Sequence, residues 1–160
     1  MTDLPRPSKD ETLLTIAQVL AQRSSCSRAN VGAVIAIEGR IVSTGYNGAP
    51  AGLDHCNHTC NCVVYRIEGA KNELHQKTCR SEQPCTTAIH AETNAIAFAA
   101  RHGVALEGST LYSTHLPCIP CSQLIINSGI RRVIYIYPYR ITDGRDLLRA
   151  AAIDIECWEL

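Results

Sequence analysis

The sequence predicts a three-layer α/β/α protein, in which a mixed five-stranded sheet carries helices on both faces. Three observations predict it. Two β-branched runs near the start, "VGAVIAI" and "RIVSTGYN", are joined by "EGR" and read as an antiparallel hairpin. Later, helix-forming segments alternate with short apolar runs, a pattern that calls for parallel pairing. The length, 160 residues, fits one domain with its own hydrophobic core, so residues 1–160 are read as a single domain.

The elements follow in order. In "KDETLLTIAQVLAQRS" the residues Leu13, Leu14, Ile16, Ala17, Leu20 and Ala21 recur at close to helical spacing, with Ser8 or Asp10 as the N-cap. The hairpin comes next, its Gly at the turn and both strands at least half buried. Residues 49–87 lose any clean period and are rich in Pro, Gly, Asn, His and Cys, which marks a long insertion. "IHAETNAIAFAARHG" returns to strong helix formers and ends on His102-Gly103 as a C-cap, leading into the strand "STLYSTH". "PCIPCSQLIINSGI" repeats the plan, a helix ending at Gly129 before the strand "RRVIYIY". "DGRDLLRAAAIDIECWEL" supplies one more short helix and a last strand, where Cys157 beside Trp158 reads as a packing residue.

Composition excludes several function classes. Hydrophobic residues make up 46% and charged residues 19%, a globular balance that argues against disorder. Fifteen basic and fifteen acidic residues leave no net field to hold nucleic acid or a membrane surface, so any phosphate recognition has to be local. The apolar runs fall far short of the roughly 20 residues that span a bilayer. The start "MTDLPRPSKDETLL" lacks a signal-peptide layout, so the expected location is cytoplasmic, the host's if the chain is viral. Nine cysteines, an odd number without a secretion signal, point to metal ligands or buried thiols rather than disulfides.

The residues that carry chemistry are His90-Ala91-Glu92 and Pro117-Cys118-Ile119-Pro120-Cys121, an H-x-E and P-C-x-x-C pair characteristic of zinc nucleobase deaminases. Cys118 and Cys121, three apart in the first turn of a helix, can both reach one ion, and the helix N-terminus favours their thiolates. His90 supplies a third ligand from the start of the other helix. Three protein ligands leave a fourth tetrahedral position for water, which distinguishes a catalytic zinc from a structural one. Zinc lowers the pKa of such a water to about 7. Replacing an exocyclic amine by oxygen then needs a group that moves protons from the water to the ring nitrogen and to departing ammonia, and Glu92 is assigned that role. Taken singly, a His-x-Glu is usually structural, and a Cys-x-x-Cys also suits a redox pair or half a structural zinc site. Their joint occurrence at two helix starts, each followed by a strand, points to catalytic zinc.

With these motifs, "SRANVGAVI", "GRIVSTGYNGAPAGLDHC", "EGSTLY" and "NSGIRRVIY" make the chain resemble the deoxycytidylate (dCMP) deaminases of the cytidine deaminase superfamily, from about Ile16 to the last strand. The "GYNGAP" loop carries the distinction from other zinc deaminases. The resemblance implies a cytidine deaminase-like fold and hydrolysis of dCMP to dUMP and ammonia, a step toward thymidylate. It implies that Asn47 contacts the nucleotide sugar and that the Ala91 backbone meets the pyrimidine edge. It places Arg28 near the 5′-phosphate, with Tyr137 of "YIYPY" completing that pocket. An arginine fork suits a monophosphate. Read alone, Arg28 is a solvated surface charge and Asn47 a turn residue, since Asn-Gly is itself a turn signal.

The resemblance also implies a homo-oligomer, a hexamer, with dCTP as activator, dTTP as inhibitor and Mg²⁺ accompanying them. Phe98 and Arg101 match a segment near the site and the subunit contacts. Relatives of the microbial and phage type carry a second, structural zinc, and Cys26, Cys56 and Cys85 stand at its ligand positions, with the fourth ligand open. "HCNHTCNC", residues 55–62, holds five ligand-type side chains, and its Cys60 and Cys62, with Cys79, are extra to the relatives' pattern. A closed zinc site would order a long irregular insertion.

Two rival readings remain at this level. The same chemistry could act on a polynucleotide or an unphosphorylated nucleoside, although the neutral charge and the lack of basic and aromatic stripes disfavour a polynucleotide. A non-catalytic zinc-stabilised regulatory module would have no need of Glu92.

Overall fold

The computed structural model describes residues 6–26, 29–53, 55, 88–138 and 141–159. Helix α1 (Lys9–Ala21) opens on Ser8, whose Oγ accepts from the Glu11 amide at 3.0 Å, so Ser8 is the N-cap. Asp10 is engaged elsewhere: its carboxylate accepts from the Tyr112 hydroxyl at 2.7 Å and from Arg132 at 3.0 Å.

Strands β1 (Gly32–Ile37) and β2 (Arg40–Tyr46) form the hairpin. Its turn residues Glu38 and Gly39 have φ of 52° and 80°, the doubly left-handed turn whose twist matches the strands. β1 is buried almost throughout, whereas β2 begins exposed at Arg40 and Ile41. Then follow α2 (Ala91–Arg101), β3 (Thr110–His115), α3 (Ile119–Asn127), β4 (Arg132–Tyr137), α4 (Asp143–Ala150) and β5 (Asp154–Cys157).

The sheet order is β2-β1-β3-β4-β5. β1 runs antiparallel to both neighbours, while β3, β4 and β5 are parallel. Strand alternation divides the core in two. Val34, Ala36, Tyr112, Ile134 and Ile136 pack with Leu13, Leu14 and Ala17 of α1. Ala33, Ile35, Leu111 and Val133 face the other way, against Ala91, Ala95, Ile125 and Leu148 of the three remaining helices.

The pairing of Gly32 with Tyr46, Ala33 with Ser113 and His115 with Tyr137 brings the start of β1 and the ends of β2, β3 and β4 to one end of the sheet. Ligands bind parallel sheets at the carboxyl ends of the strands, so this end is where a site belongs. Among the described residues no helix is long and apolar enough to cross a membrane.

Candidate active site

Two helix starts meet at that end. His90 is the N-cap of α2 and Cys118 the N-cap of α3, and neither side chain caps its own helix. Cys121 lies one turn into α3 and is buried. His90 Nδ1 lies 3.3 Å from Cys118 Sγ and 3.4 Å from Cys121 Sγ. The three ligand atoms all fall within 4.8 Å of one another. Cys118 thus stands just outside the helix rather than in its first turn.

Local sequence explains the convergence. Gly48 and Ile89 form an isolated bridge, N–H to carbonyl at 3.1 and 2.8 Å, which ties the chain just after Asn47 to the chain just before His90. Helix α2 is fixed on β2 by Ser43 Oγ donating to the Ala95 carbonyl at 2.6 Å and by Asn94 Nδ2 donating to the Tyr46 carbonyl at 3.0 Å. Gly45 makes this approach feasible, since a Cβ there would meet the backbone of Ala91 and Ala95. On the other side, Ser122 Oγ donates to the Gly144 carbonyl at 3.1 Å, packing α4 against the turn that holds Cys118.

Imidazole nitrogen and two thiolate sulfurs are the donor set that zinc favours, and three of them suit a catalytic rather than a closed structural site. The two sulfurs share a hydrogen bond that ties their ionisation together. The hydrogen bond from Cys121 pushes the Cys118 thiol down to about 4, and its bond to His90 adds to the effect. Cys121 is pushed up, first by that same bond to Cys118 and then by burial. Thr93 Oγ1 lies 3.6 Å from Cys121 Sγ.

Glu92, two residues after His90 in the first turn of α2, is only 3% exposed. Burial raises its pKa, against the lowering effects of its backbone hydrogen bond and of His90. A carboxyl whose burial favours its protonated form therefore sits next to the three candidate ligands.

The other residues singled out from sequence divide by place. Ala91 is fully buried in the first turn of α2. Asn47 is 6% exposed, and its amide is largely engaged: Oδ1 accepts from the Val31 amide at 2.8 Å and Nδ2 donates to the Ala29 carbonyl at 2.7 Å. Tyr137, at the end of β4, is 44% exposed with its ring 5.2 Å from that of His115. Cys26 is half-buried ahead of β1. Phe98 is exposed and stacked on His102 at 4.2 Å. Arg28, Cys56, Cys85, Cys60, Cys62 and Cys79 lie outside the described residues. Sequence reasoning did not single out Gly45, Thr114 or His115; the one available signal was a polar pair at the carboxyl end of a parallel strand.

Comparison with known proteins adds to the geometry. A family model described as the cytidine and deoxycytidylate deaminase zinc-binding region matches residues 7–137. The deoxycytidylate deaminase of Enterobacteria phage T4 is 38% identical over 173 residues, spanning 92% of this chain and 88% of that protein. That of Mycobacterium phage D29 is 44% identical over 132 residues, spanning 82% of this chain and 97% of the phage protein. The crystal structure of dCMP deaminase from the cyanophage S-TIM5 in complex with dCMP and dUMP is similar at a TM-score of 0.75 and 30% identity, over 97% of this chain and 100% of that one.

Proposed function

The chain belongs to the cytidine and deoxycytidylate deaminase family, and on that ground we propose that it hydrolyses dCMP to dUMP and ammonia, supplying dUMP for thymidylate synthesis. The observation that carries this reading is the convergence of His90, Cys118 and Cys121 beside a buried Glu92. Relatives spanning nearly the whole chain, and a similar structure holding dCMP and dUMP, support the substrate.

His90, Cys118 and Cys121 would hold Zn²⁺, which would supply there the Lewis acidity that makes water nucleophilic at neutral pH. Glu92 moves the protons. Its carboxylate takes one from the attacking water and delivers it to N3 of the cytosine as oxygen bonds to C4. It then carries the second from the added oxygen to the amine, and the C4–N bond breaks with loss of ammonia. The two protons of water end on N3 and on ammonia, so the step balances. Burial of Glu92 suits a group that must be protonated and deprotonated in turn.

The base rests on the amide of Ala91, one of the N–H groups that a helix start leaves without an internal partner. Asn47 contacts the sugar with the one N–H and one lone pair left over from its bonds to Ala29 and Val31. Arg28 and Tyr137 bind the 5′-phosphate. A second zinc on Cys26, Cys56 and Cys85 orders the insertion, a reading supported by the half-buried Cys26 thiol and by its chain neighbour Ser25 lying against Gly48, one partner of the bridge that precedes that segment. Subunits assemble as a hexamer through apolar surface that includes the exposed Phe98, Ile119 and Leu124, and dCTP and dTTP, with Mg²⁺, regulate it. Resemblance to relatives supports these last assignments.

Ammonia release from dCMP, deoxycytidine, dCTP and single-stranded DNA tests the reading. Turnover of dCMP well above the others is expected; equal rates on dCMP and deoxycytidine would remove the phosphate pocket.

A further inference from the structure

We propose that His115 is a further substrate-binding residue, donating a hydrogen bond from Nε2 to the 5′-phosphate of the nucleotide. The inference rests on the reading of this site as a nucleotide deaminase.

A chain of hydrogen bonds sets the proton on the right nitrogen. Thr114 is 2% exposed, and its Oγ1 accepts from the Gly32 amide at 3.2 Å. The same oxygen lies 3.0 Å from His115 Nδ1. A hydroxyl has one proton to give, and among the described residues Nδ1 is the acceptor in reach. Were Nδ1 itself the donor, the Thr114 proton would be buried without an acceptor, which folded proteins avoid. The order is therefore Gly32 N–H to Thr114 O–H to His115 Nδ1, and the ring proton sits on Nε2. Burial also lowers the His115 pKa and keeps the ring neutral. Among the described residues no group partners Nε2.

Placement directs that donor. Strand alternation puts His115 on the face of the sheet that carries α2 and α3, together with Ser113 and Leu111. Tyr137 is its register partner on β4 and falls on the same face, so an imidazole and a phenol hydroxyl stand side by side at the carboxyl ends of adjacent parallel strands. His115 precedes Cys118 by three residues, at most about 10 Å of chain. That span is of the order of the distance from base to phosphate within one nucleotide. The base end of the site holds two sulfurs and a carboxyl, which repel a phosphate, and the outer end offers N–H and O–H groups, which attract it. With no net charge on the chain, such local donors are what a phosphate can use.

The test compares kcat/KM for dCMP with that for deoxycytidine in the zinc-loaded enzyme and in His115→Ala and His115→Gln. The ratio should fall at least about tenfold in His115→Ala, as expected for a lost bond to a charged group, and recover in part in His115→Gln, which restores a donor. An unchanged ratio in an enzyme that turns over dCMP overturns the role of His115 alone, whereas a wild-type enzyme inactive on dCMP overturns the proposed function. A measurement on the unmutated protein is independent of variant folding. The Nε2–H proton resonance of His115 should shift with dUMP and not with deoxyuridine, and an equal response to both overturns the proposal.

Discussion

A Cβ on Gly45 would collide with the Ala91 carbonyl oxygen, so β2 and the first turn of α2 touch backbone to backbone. That first turn carries Glu92 and follows directly on His90, which makes a strand glycine part of the site's framework. Gly45→Ala should therefore move the helix start outward. Overpacking of this kind costs about 1–3 kcal/mol, and a displacement near 1 Å can cost about a hundredfold in rate. Urea unfolding and kcat/KM for dCMP should fall together; a loss of stability with undiminished kcat/KM would show that the helix start tolerates the shift.

Asn47 joins two segments that sequence keeps apart, holding Val31 and Ala29 while β2 ends beneath it. Asn47→Ala removes two part-buried hydrogen bonds, to the half-buried Val31 amide and the exposed Ala29 carbonyl, at about 0.5–1.5 kcal/mol each. The ligand-free protein should therefore unfold at lower denaturant, alongside a higher KM for dCMP. A rise in KM with an unmoved unfolding midpoint would mean that Asn47 serves the substrate alone.

At the far end of the sheet, Asp10 accepts from Tyr112 and Arg132, and Arg132 also pairs with Glu156 at 2.9 Å. This cluster docks α1 and lies away from the three ligands. Burial, then the bond to Asp10, raises the pKa of Tyr112. A raised phenol binds its proton more tightly in the folded than the unfolded state, so its contribution is complete below about pH 10, the unfolded value, and is lost as pH rises above it. The stability difference between wild type and Tyr112→Phe should be flat from pH 7 to 9 and shrink at higher pH, with kcat at pH 7 within about twofold. A difference that grew above pH 10 would contradict the assigned direction.

The contrast between these places explains what sequence could disclose. Helix and strand periods, the left-handed turn at Gly39 and the caps at Ser8 and Gly103 follow from local chemistry, and the hairpin with its later helix and strand alternation implied a mixed sheet. His90, Glu92, Cys118 and Cys121 stood out because their spacing is dictated by the ion they suit. The close approach at Gly45, the engagement of the Asn47 amide and the hydrogen-bond chain from Gly32 to His115 involve residues far apart in sequence, and no local pattern announces them. The insertion offered the densest set of ligand-type residues, but density alone does not bring three donors within reach of one ion while leaving a carboxyl beside them.

The division of labour between Glu92 and the three ligands gives the sharpest test of the mechanism. Glu92→Gln keeps the shape of the side chain and removes its ability to take up a proton. Loss of general acid and base action costs about 10²–10⁴-fold in rate. Zinc content, measured by mass spectrometry of the purified protein, should be unchanged, because the proposed donors are His90 Nδ1 and the two sulfurs. Cys121→Ser should instead lose zinc and activity together, since its sulfur lies in the buried part of the cluster where a replacement ligand cannot enter. Loss of zinc from Glu92→Gln would make Glu92 a ligand and leave the proton transfers to another group.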